Sequence, residues 1–364
     1  MKIRIFQPIV PEYRVALFDG LAERYGENLE VWASAKDENG DVSVPLKKAK
    51  FDYSHVLTKI GPFFWQRGFS LQGLARGDVI VINGNVRQLS SMLILVKARL
   101  KGIRVVWWGH HLSSSSKDWR VKIRIAIMNL LHPDALLFYT NSGVKWMQKR
   151  GVNHPKMFAT GNTIDQVPIQ SAMAKFDGVD RFNGSAGLLC CSVLREKVRL
   201  DLIIKAMADR RLEDVRLAVI GDGPMKEQYL RVAAECGVED RIIWLGATRD
   251  QEVMAPWFLS AKAFVYPGAV GLSILHSLSY GLPVVVHGNV DHQMPEFEVM
   301  EDGKTGFCFR EGDVGDLVEK VRCIVSDEVR RKKMSEYSKH VAYEKYSMKQ
   351  MVANYARAIE AAAE

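Results

Sequence analysis

The sequence predicts an α/β fold of two doubly wound domains, each a parallel sheet covered by helices on both faces, with a cleft between them. Three observations carry this. Short β-rich apolar runs alternate with longer stretches of helical spacing, as parallel sheets require. The alternation breaks over residues 166–186 and then restarts. The 364 residues, 48% hydrophobic, suffice for two ordinary cores at roughly 100–200 residues per domain.

In order, residues 2–7 (KIRIFQ) read as a strand. The stretch 15–25 places apolar residues at 15, 17, 18 and 21, a helical period. Strands follow at 29–33, 78–83 (DVIVIN), 104–108 (RVVWW) and 135–139 (ALLFY), with helices at 89–101 and 142–150. Residues 166–186 contain Pro168, Gly178 and Gly184 and read as a linker opening the second domain. Strands then recur at 187–193, 215–220, 241–245, 263–266, 283–287 and 306–309. Helices are predicted at 200–208, 224–236, 273–280, 313–330 and 331–364. The expected organisation is a Rossmann-like domain over 1–170, a second over 171–345, and a terminal helix, 346–364, crossing back to the first. In such open sheets ligands bind beyond the carboxyl ends of the strands.

Composition narrows the function classes. The five cysteines are irregularly spaced, with no Cys-x-x-Cys, which argues against a disulfide framework or zinc site and fits a reducing cytosol. The N-terminus lacks the long apolar core of a signal peptide, and no run of about 18 apolar residues exists to span a membrane. Residues 1–170 hold 24 Lys and Arg against 13 Asp and Glu, a charge of +11, whereas the remainder carries −3. The first domain is therefore expected to meet an anionic partner. No nucleic-acid-binding motif accompanies that charge. No Asp-x-Asp loop, His-Glu-x-x-His, nucleophile elbow or Walker loop is present, so no metal is expected.

Four clusters carry candidate chemistry. In Arg216–Pro224 (RLAVIGDGP) a buried strand ends in Gly221-Asp222-Gly223 before a helix. Glycines admit close backbone approach, and a helix N-terminus suits phosphate oxygens. Asp222 would repel phosphate and is assigned to the turn or a cap. In Tyr266–Pro283 (YPGAVGLSILHSLSYGLP) a loop with Gly268 and Gly271 precedes a helix bearing Ser273 and His276; the amides of Gly271, Leu272 and Ser273 are placed to hold a diphosphate. The third cluster is Trp107-Trp108-Gly109-His110-His111 at a strand end, of which His110 is the candidate to face a ligand. The fourth is basic: Arg195, Lys197 and Arg199 follow the first strand of the second domain and would neutralise a leaving diphosphate. Tyr13 and Arg14 occupy the first strand-to-helix turn of the other domain.

The arrangement resembles glycosyltransferase family 4, of the two-domain GT-B architecture. The resemblance covers nearly the whole chain and is strongest over 187–310. It rests on Val219–Pro224 (VIGDGP), Gly237–Gly246, Gly268–His276, Gly281–Val284, Pro295-Glu296 and Gly303–Gly306, with Tyr13-Arg14-Val15 and Asn162–Asp165 in the first domain. The chain departs from the family's paired glutamates seven residues apart, because Gly268 and His276 stand at those positions. That marks a variant subgroup. A gap-free match also places the family's basic pair at Val193 and Val198 instead of Arg195 and Lys197.

The resemblance implies a retaining transferase that moves a sugar from a nucleoside-diphosphate sugar to a glycan or lipid-linked glycan acceptor, without metal or other cofactor, in cell-surface polysaccharide synthesis. The donor would be held by Arg195, Lys197, Gly221, Gly223, Gly268, Gly271, Leu272, Ser273 and His276. His110 would contact the donor sugar or the acceptor hydroxyl, and Tyr13 and Arg14 the acceptor. Segments 62–67 and 120–124 mix cations with aromatic or apolar residues, an interfacial composition that suggests the inner membrane face of a cytoplasmic protein. The alternatives are a nucleotide-sugar hydrolase or epimerase, and a non-catalytic nucleotide-sugar-binding protein.

Overall fold

The computed structural model of the chain describes residues 1–37, 40–109, 118–176 and 178–364. Apolar runs of four to six residues become buried central strands, and the helical-period stretches become the layers covering them. The first sheet contains β1 (Ile3–Phe6), β2 (Leu29–Ser34), β3 (Lys50–Ile60), β4 (Phe63–Arg67), β5 (Val79–Asn83), β6 (Arg104–Gly109), β7 (Ala135–Phe138) and β8 (Met157–Ala159). Its order is β4-β3-β2-β1-β5-β6-β7-β8, parallel except for the β3–β4 hairpin. The second contains β9 (Ala186–Cys191), β10 (Val215–Ile220), β11 (Ile242–Gly246), β12 (Ala263–Tyr266), β13 (Val284–His287) and β14 (Gly306–Phe309). Its order is β11-β10-β9-β12-β13-β14, parallel throughout. Each order reverses direction once, beside β1 in the first sheet and beside β9 in the second. That reversal opens a crevice at the strand carboxyl ends.

The helices, in chain order, are α1 (Glu12–Tyr25), α2 (Leu89–Leu100), α3 (Asp118–Leu131), α4 (Asn141–Lys149), α5 (Val167–Met173), α6 (Leu200–Ala206), α7 (Lys226–Glu235), α8 (Gln251–Ser260), α9 (Ser273–Ser279), α10 (Val314–Val325), α11 (Glu328–His340) and α12 (Met348–Ala363). Side-chain caps fix several starts: Thr140 accepts from the Gly143 amide, Asp250 from Glu252, Asp313 from Asp316 and Asp327 from Arg330. The chain divides into two compact units, Met1–Ile164 with Met348–Glu364, and Asp165–Ser347.

In the first unit α12 joins the core under the sheet. Met351, Tyr355, Ala358 and Ile359 are buried with Ile5, Leu17, Phe18, Val81 and Trp108. Gly20 lets α1 approach α12, since a Cβ there would meet Val352 at 2.7 Å. Lys156 Nζ also donates to the Ala361 carbonyl, and Arg24 pairs with Glu360 at 2.7 Å.

Four details differ from the sequence reading. Residues 166–186 are not a continuous linker: Pro168 stands in the first turn of α5, where a missing N–H is harmless. Helices α3 and α8, the latter with an internal Pro256, and strands β3, β4 and β8 were not anticipated. The β3–β4 pair is an exposed edge with few buried positions and so lacks a continuous apolar run. Segment 331–364 is broken by a π-helical turn at Val341–Lys345.

Candidate functional site

In the second unit the loops leaving β9 and β12 lie at the topological switch point and interlock. The Ala269 amide donates to the Lys197 carbonyl at 3.1 Å. A Cβ on Gly268 would stand 1.9 Å from that same carbonyl oxygen, so glycine is required where the two backbones cross. A glutamate at 268 is sterically impossible without displacing residues 197–198. Beyond the crossing, the amides of Gly271, Leu272 and Ser273 have no acceptor among the described residues. A Cβ at Gly271 would meet nothing closer than Glu296 Oε2 at 3.9 Å and Met294 Cγ at 4.0 Å, so a side chain there would find no close neighbour.

Arg195 and Lys197 are exposed and make no ion pair among the described residues. Arg199 pairs with Asp201 at 3.1 Å. Of the family's basic positions, Val193 is exposed, whereas Val198 is fully buried and its side chain belongs to the core. The exposed cations therefore sit on either side of position 198.

Gly221 and Gly223 serve differently from expectation. The Gly221 amide donates to the Gly246 carbonyl at 2.7 Å, and the Gly223 amide to Asp222 Oδ1 at 2.7 Å. Neither offers a free N–H to a phosphate. Both glycines have positive φ, and a Cβ on either would strike the backbone of Ser192 or Leu194. They hold the β10 turn against the β9 loop. Asp222 is a local cap, its carboxyl pulled below the usual range by the Gly223 amide and by Lys226. The helix begins at Lys226, two residues later than Pro224.

His276 packs against Phe258 at 4.6 Å and Tyr280 at 5.6 Å. Its Nε2 lies 3.0 Å from Gln251 Oε1, which also accepts from the Tyr280 hydroxyl at 2.9 Å. Burial pushes the imidazole down to about 4, so it is neutral at pH 7. One ring nitrogen is thereby engaged within the protein.

Sequence reasoning assigned no role to Glu296, Gln293 and Gln251. Glu296 is 5% exposed beside Gly271. Gln293 staples the loop, accepting from the Val270 amide at 2.8 Å and donating to the His287 carbonyl at 2.9 Å. The Pro295-Glu296 pair was a visible signal for Glu296; the glutamines carried none.

In the first unit the switch point between β1 and β5 holds a cavity of about 340 Å³, lined among others by Gln7, Arg14, Asp37, Asp41, Asn85 and Tyr139. Tyr13 is 41% exposed at its wall, and Arg14 is 4% exposed. His110 lies outside the described residues. The proposed interfacial segments are corrected in part. Phe64 and Gln66 point inward from β4, and Arg124 is 7% exposed beside Gly109, so neither segment is a uniformly outward face.

Residues 175–341 match the model of the family "Glycosyl transferases group 1". The match falls within the second unit, Asp165–Ser347. The whole chain has the GT-B fold of solved glycosyltransferases. The lipopolysaccharide outer core galactosyltransferase WaaB aligns over 99% of both chains, with TM-score 0.70 and 18% identity. HepE of Anabaena, solved in complex with UDP, aligns over 98% of both chains, with TM-score 0.68 and 16% identity. Among curated proteins, the sulfoquinovosyl transferase SQD2 of Arabidopsis thaliana is 34% identical over 34% of this chain and 24% of its own length. The N-acetyl-alpha-D-glucosaminyl L-malate synthase of Bacillus anthracis is 26% identical over 46% of this chain and 43% of its own. The chain thus spans less than half the length of these two relatives.

Proposed function

We propose that the chain is a retaining glycosyltransferase that takes a sugar from a nucleoside-diphosphate sugar and passes it to a glycan or lipid-linked glycan in cell-envelope synthesis. One observation carries this reading: amides without acceptors at Gly271–Ser273, on a loop crossed by the β9 loop that bears the exposed cations Arg195 and Lys197, at the switch point of the second sheet. Amides and cations fixed in place stabilise charge growing on a leaving group without reorganising.

In the proposed step the acceptor oxygen bonds to the anomeric carbon on the face from which the diphosphate departs. The sugar–phosphate C–O bond breaks, its electron pair stays on the diphosphate, and a diphosphate oxygen takes the acceptor's proton. The backbone of 271–273 and Arg195 or Lys197 hold the diphosphate. Glu296 would repel phosphate at close range, so it is assigned to a sugar hydroxyl. His276 offers its second ring nitrogen to the ribose. His110 is assigned to the donor sugar or acceptor hydroxyl; His110→Ala should lower kcat. The first unit takes the acceptor through Tyr13 and Arg14.

A peripheral membrane location is part of the reading. Leu89, Leu93, Val96 and Leu100 are exposed along one stripe of α2, beside exposed Lys97 and Lys101.

A thermal-shift series with UDP, GDP, ADP and dTDP tests donor binding, since a ligand of the native state raises apparent stability. Turnover with and without acceptor then discriminates. Rapid donor cleavage without acceptor would favour a hydrolase or epimerase. Binding without turnover toward any acceptor would favour a non-catalytic protein, the reading encouraged by the absence of room for glutamate at 268. Transfer should persist in excess EDTA, because cations and amides carry the stabilisation.

A further inference from the structure

We infer that the acceptor carries an oxyanion, a phosphate or a carboxylate, which docks on Arg14 in the cavity of the first unit. The inference rests on the transferase reading and names the chemical class of its acceptor.

Arg14 lines the cavity, is 4% exposed, and has no ion pair among the described residues. Its Nη1 is buried without a hydrogen-bond partner. Aromatic rings surround the guanidinium: its Cζ lies 4.6 Å from the Trp108 ring centre, 4.9 Å from Tyr139 and 5.1 Å from Tyr13. These rings attract a cation, and the Tyr13 hydroxyl accepts a hydrogen bond from the guanidinium, while Nη1 is left without one. A second observation points the same way. Trp108 Nε1 and the Tyr355 hydroxyl are also buried without partners, and the Trp108 and Tyr355 rings meet at 4.9 Å. Three unpartnered polar groups thus meet in one cluster, of which Arg14 lines the cavity, whereas buried polar groups in a native interior are nearly all paired.

A buried cation lacking a counter-ion gains most from an incoming anion, because its desolvation is already borne by the fold. The remaining lining suits a sugar. Asp37 and Asp41 repel an anion and are therefore assigned to sugar hydroxyls, with Asn85 as a further polar partner and Leu57 and Phe64 as an apolar wall. At about 340 Å³ the cavity falls within the roughly 300–1,000 Å³ of small-molecule sites. The floor is rigid: Gln88 Nε2 donates to Gln66 Oε1 at 2.8 Å, and Gln66 Nε2 donates to Ser34 Oγ at 2.8 Å and to the Gln7 carbonyl at 2.9 Å.

The test follows the Trp108 indole N–H by ¹H–¹⁵N NMR, assigned through Trp108→Phe, while glucose 1-phosphate, glucuronate or glucose is titrated into the full chain. The expected result is a saturable shift with one or both anionic sugars, absent with glucose and lost in Arg14→Met. Response to glucose 1-phosphate alone identifies a phosphate acceptor, and to glucuronate alone a carboxylate. An indole peak unmoved by either anion, moved equally by glucose, or moved equally in Arg14→Met overturns the proposal. Arg14→Met keeps most of the side-chain volume but gives up the cation–π contacts and the Tyr13 bond, so its folding is checked by its Tm and by the UDP thermal shift. Arg14→Lys, which keeps the charge but not the fork, should retain a weakened shift. In turnover, Arg14→Met should raise KM for the acceptor about 10- to 100-fold and leave donor KM unchanged. The UDP thermal shift of the same variant reads the second unit separately, so failure of the donor reading and failure of the acceptor reading are distinguishable.

Discussion

Gly268 and Gly271 stand three residues apart on one loop and answer to different constraints. Gly268→Ala drives a Cβ into the Lys197 carbonyl and should cost about 2–4 kcal/mol in urea unfolding. Gly271→Ala meets open space, so stability should change by less than about 1 kcal/mol while transfer falls, through obstruction of the amides. His276 makes a pH prediction. Its folded value, about 4, lies below the unfolded value of about 6.5. The unfolded chain therefore binds the extra proton first as pH falls. Stability is complete above about pH 6.5 and declines toward pH 4, by roughly 1–3 kcal/mol from this group. His55, His154 and His287 are depressed in the same direction by burial, so the effect is isolated by comparing His276→Leu with the parent at pH 4.5 and 7.5. The variant should show the shallower loss.

At the scale of elements, α12 is the last segment of the chain and part of the first unit's core. Its seat depends on Gly20, where α1 and α12 come together. Gly20→Ala should therefore destabilise by about 1–2 kcal/mol although alanine is the better helix former. A truncation at Ser347 should expose Trp108 and the Leu17–Phe18 face and leave an aggregating chain, measured by sedimentation. The β3–β4 hairpin behaves oppositely. Residues such as Val56 and Ile60 are exposed, so Val56→Thr should leave the melting temperature nearly unchanged.

For the whole molecule, charge and exposed apolar residues make a joint prediction. Lys97 and Lys101 flank the α2 stripe on a half of the chain that carries +11. The protein should float with vesicles containing anionic lipid at low salt and be released at 0.5 M NaCl, where charges screen within about 4 Å. Leu93→Glu with Leu100→Glu should abolish flotation while the UDP thermal shift persists. Flotation unaffected by lipid charge or salt would remove the membrane from the reading.

Much of this was legible in residue order. Two rounds of strand–helix alternation named the fold, because a parallel strand buried on both faces must be written as a continuous apolar run. The loops Gly221–Gly223 and Gly268–Ser273 were found for the same reason, since close backbone crossing demands glycine. Residue order could not say which amides stay open. Those of Gly221 and Gly223 are taken by Gly246 and Asp222 respectively, while those of 271–273 are not. Nor could it foresee that Glu296 lies beside Gly271 or that Arg14, Trp108 and Tyr355 share one cluster, drawn from segments 13–15, 104–109 and 348–363. Local sequence determines what each segment becomes through burial and backbone sterics. Only tertiary packing decides which polar groups from distant segments meet, and which of them are left without a partner.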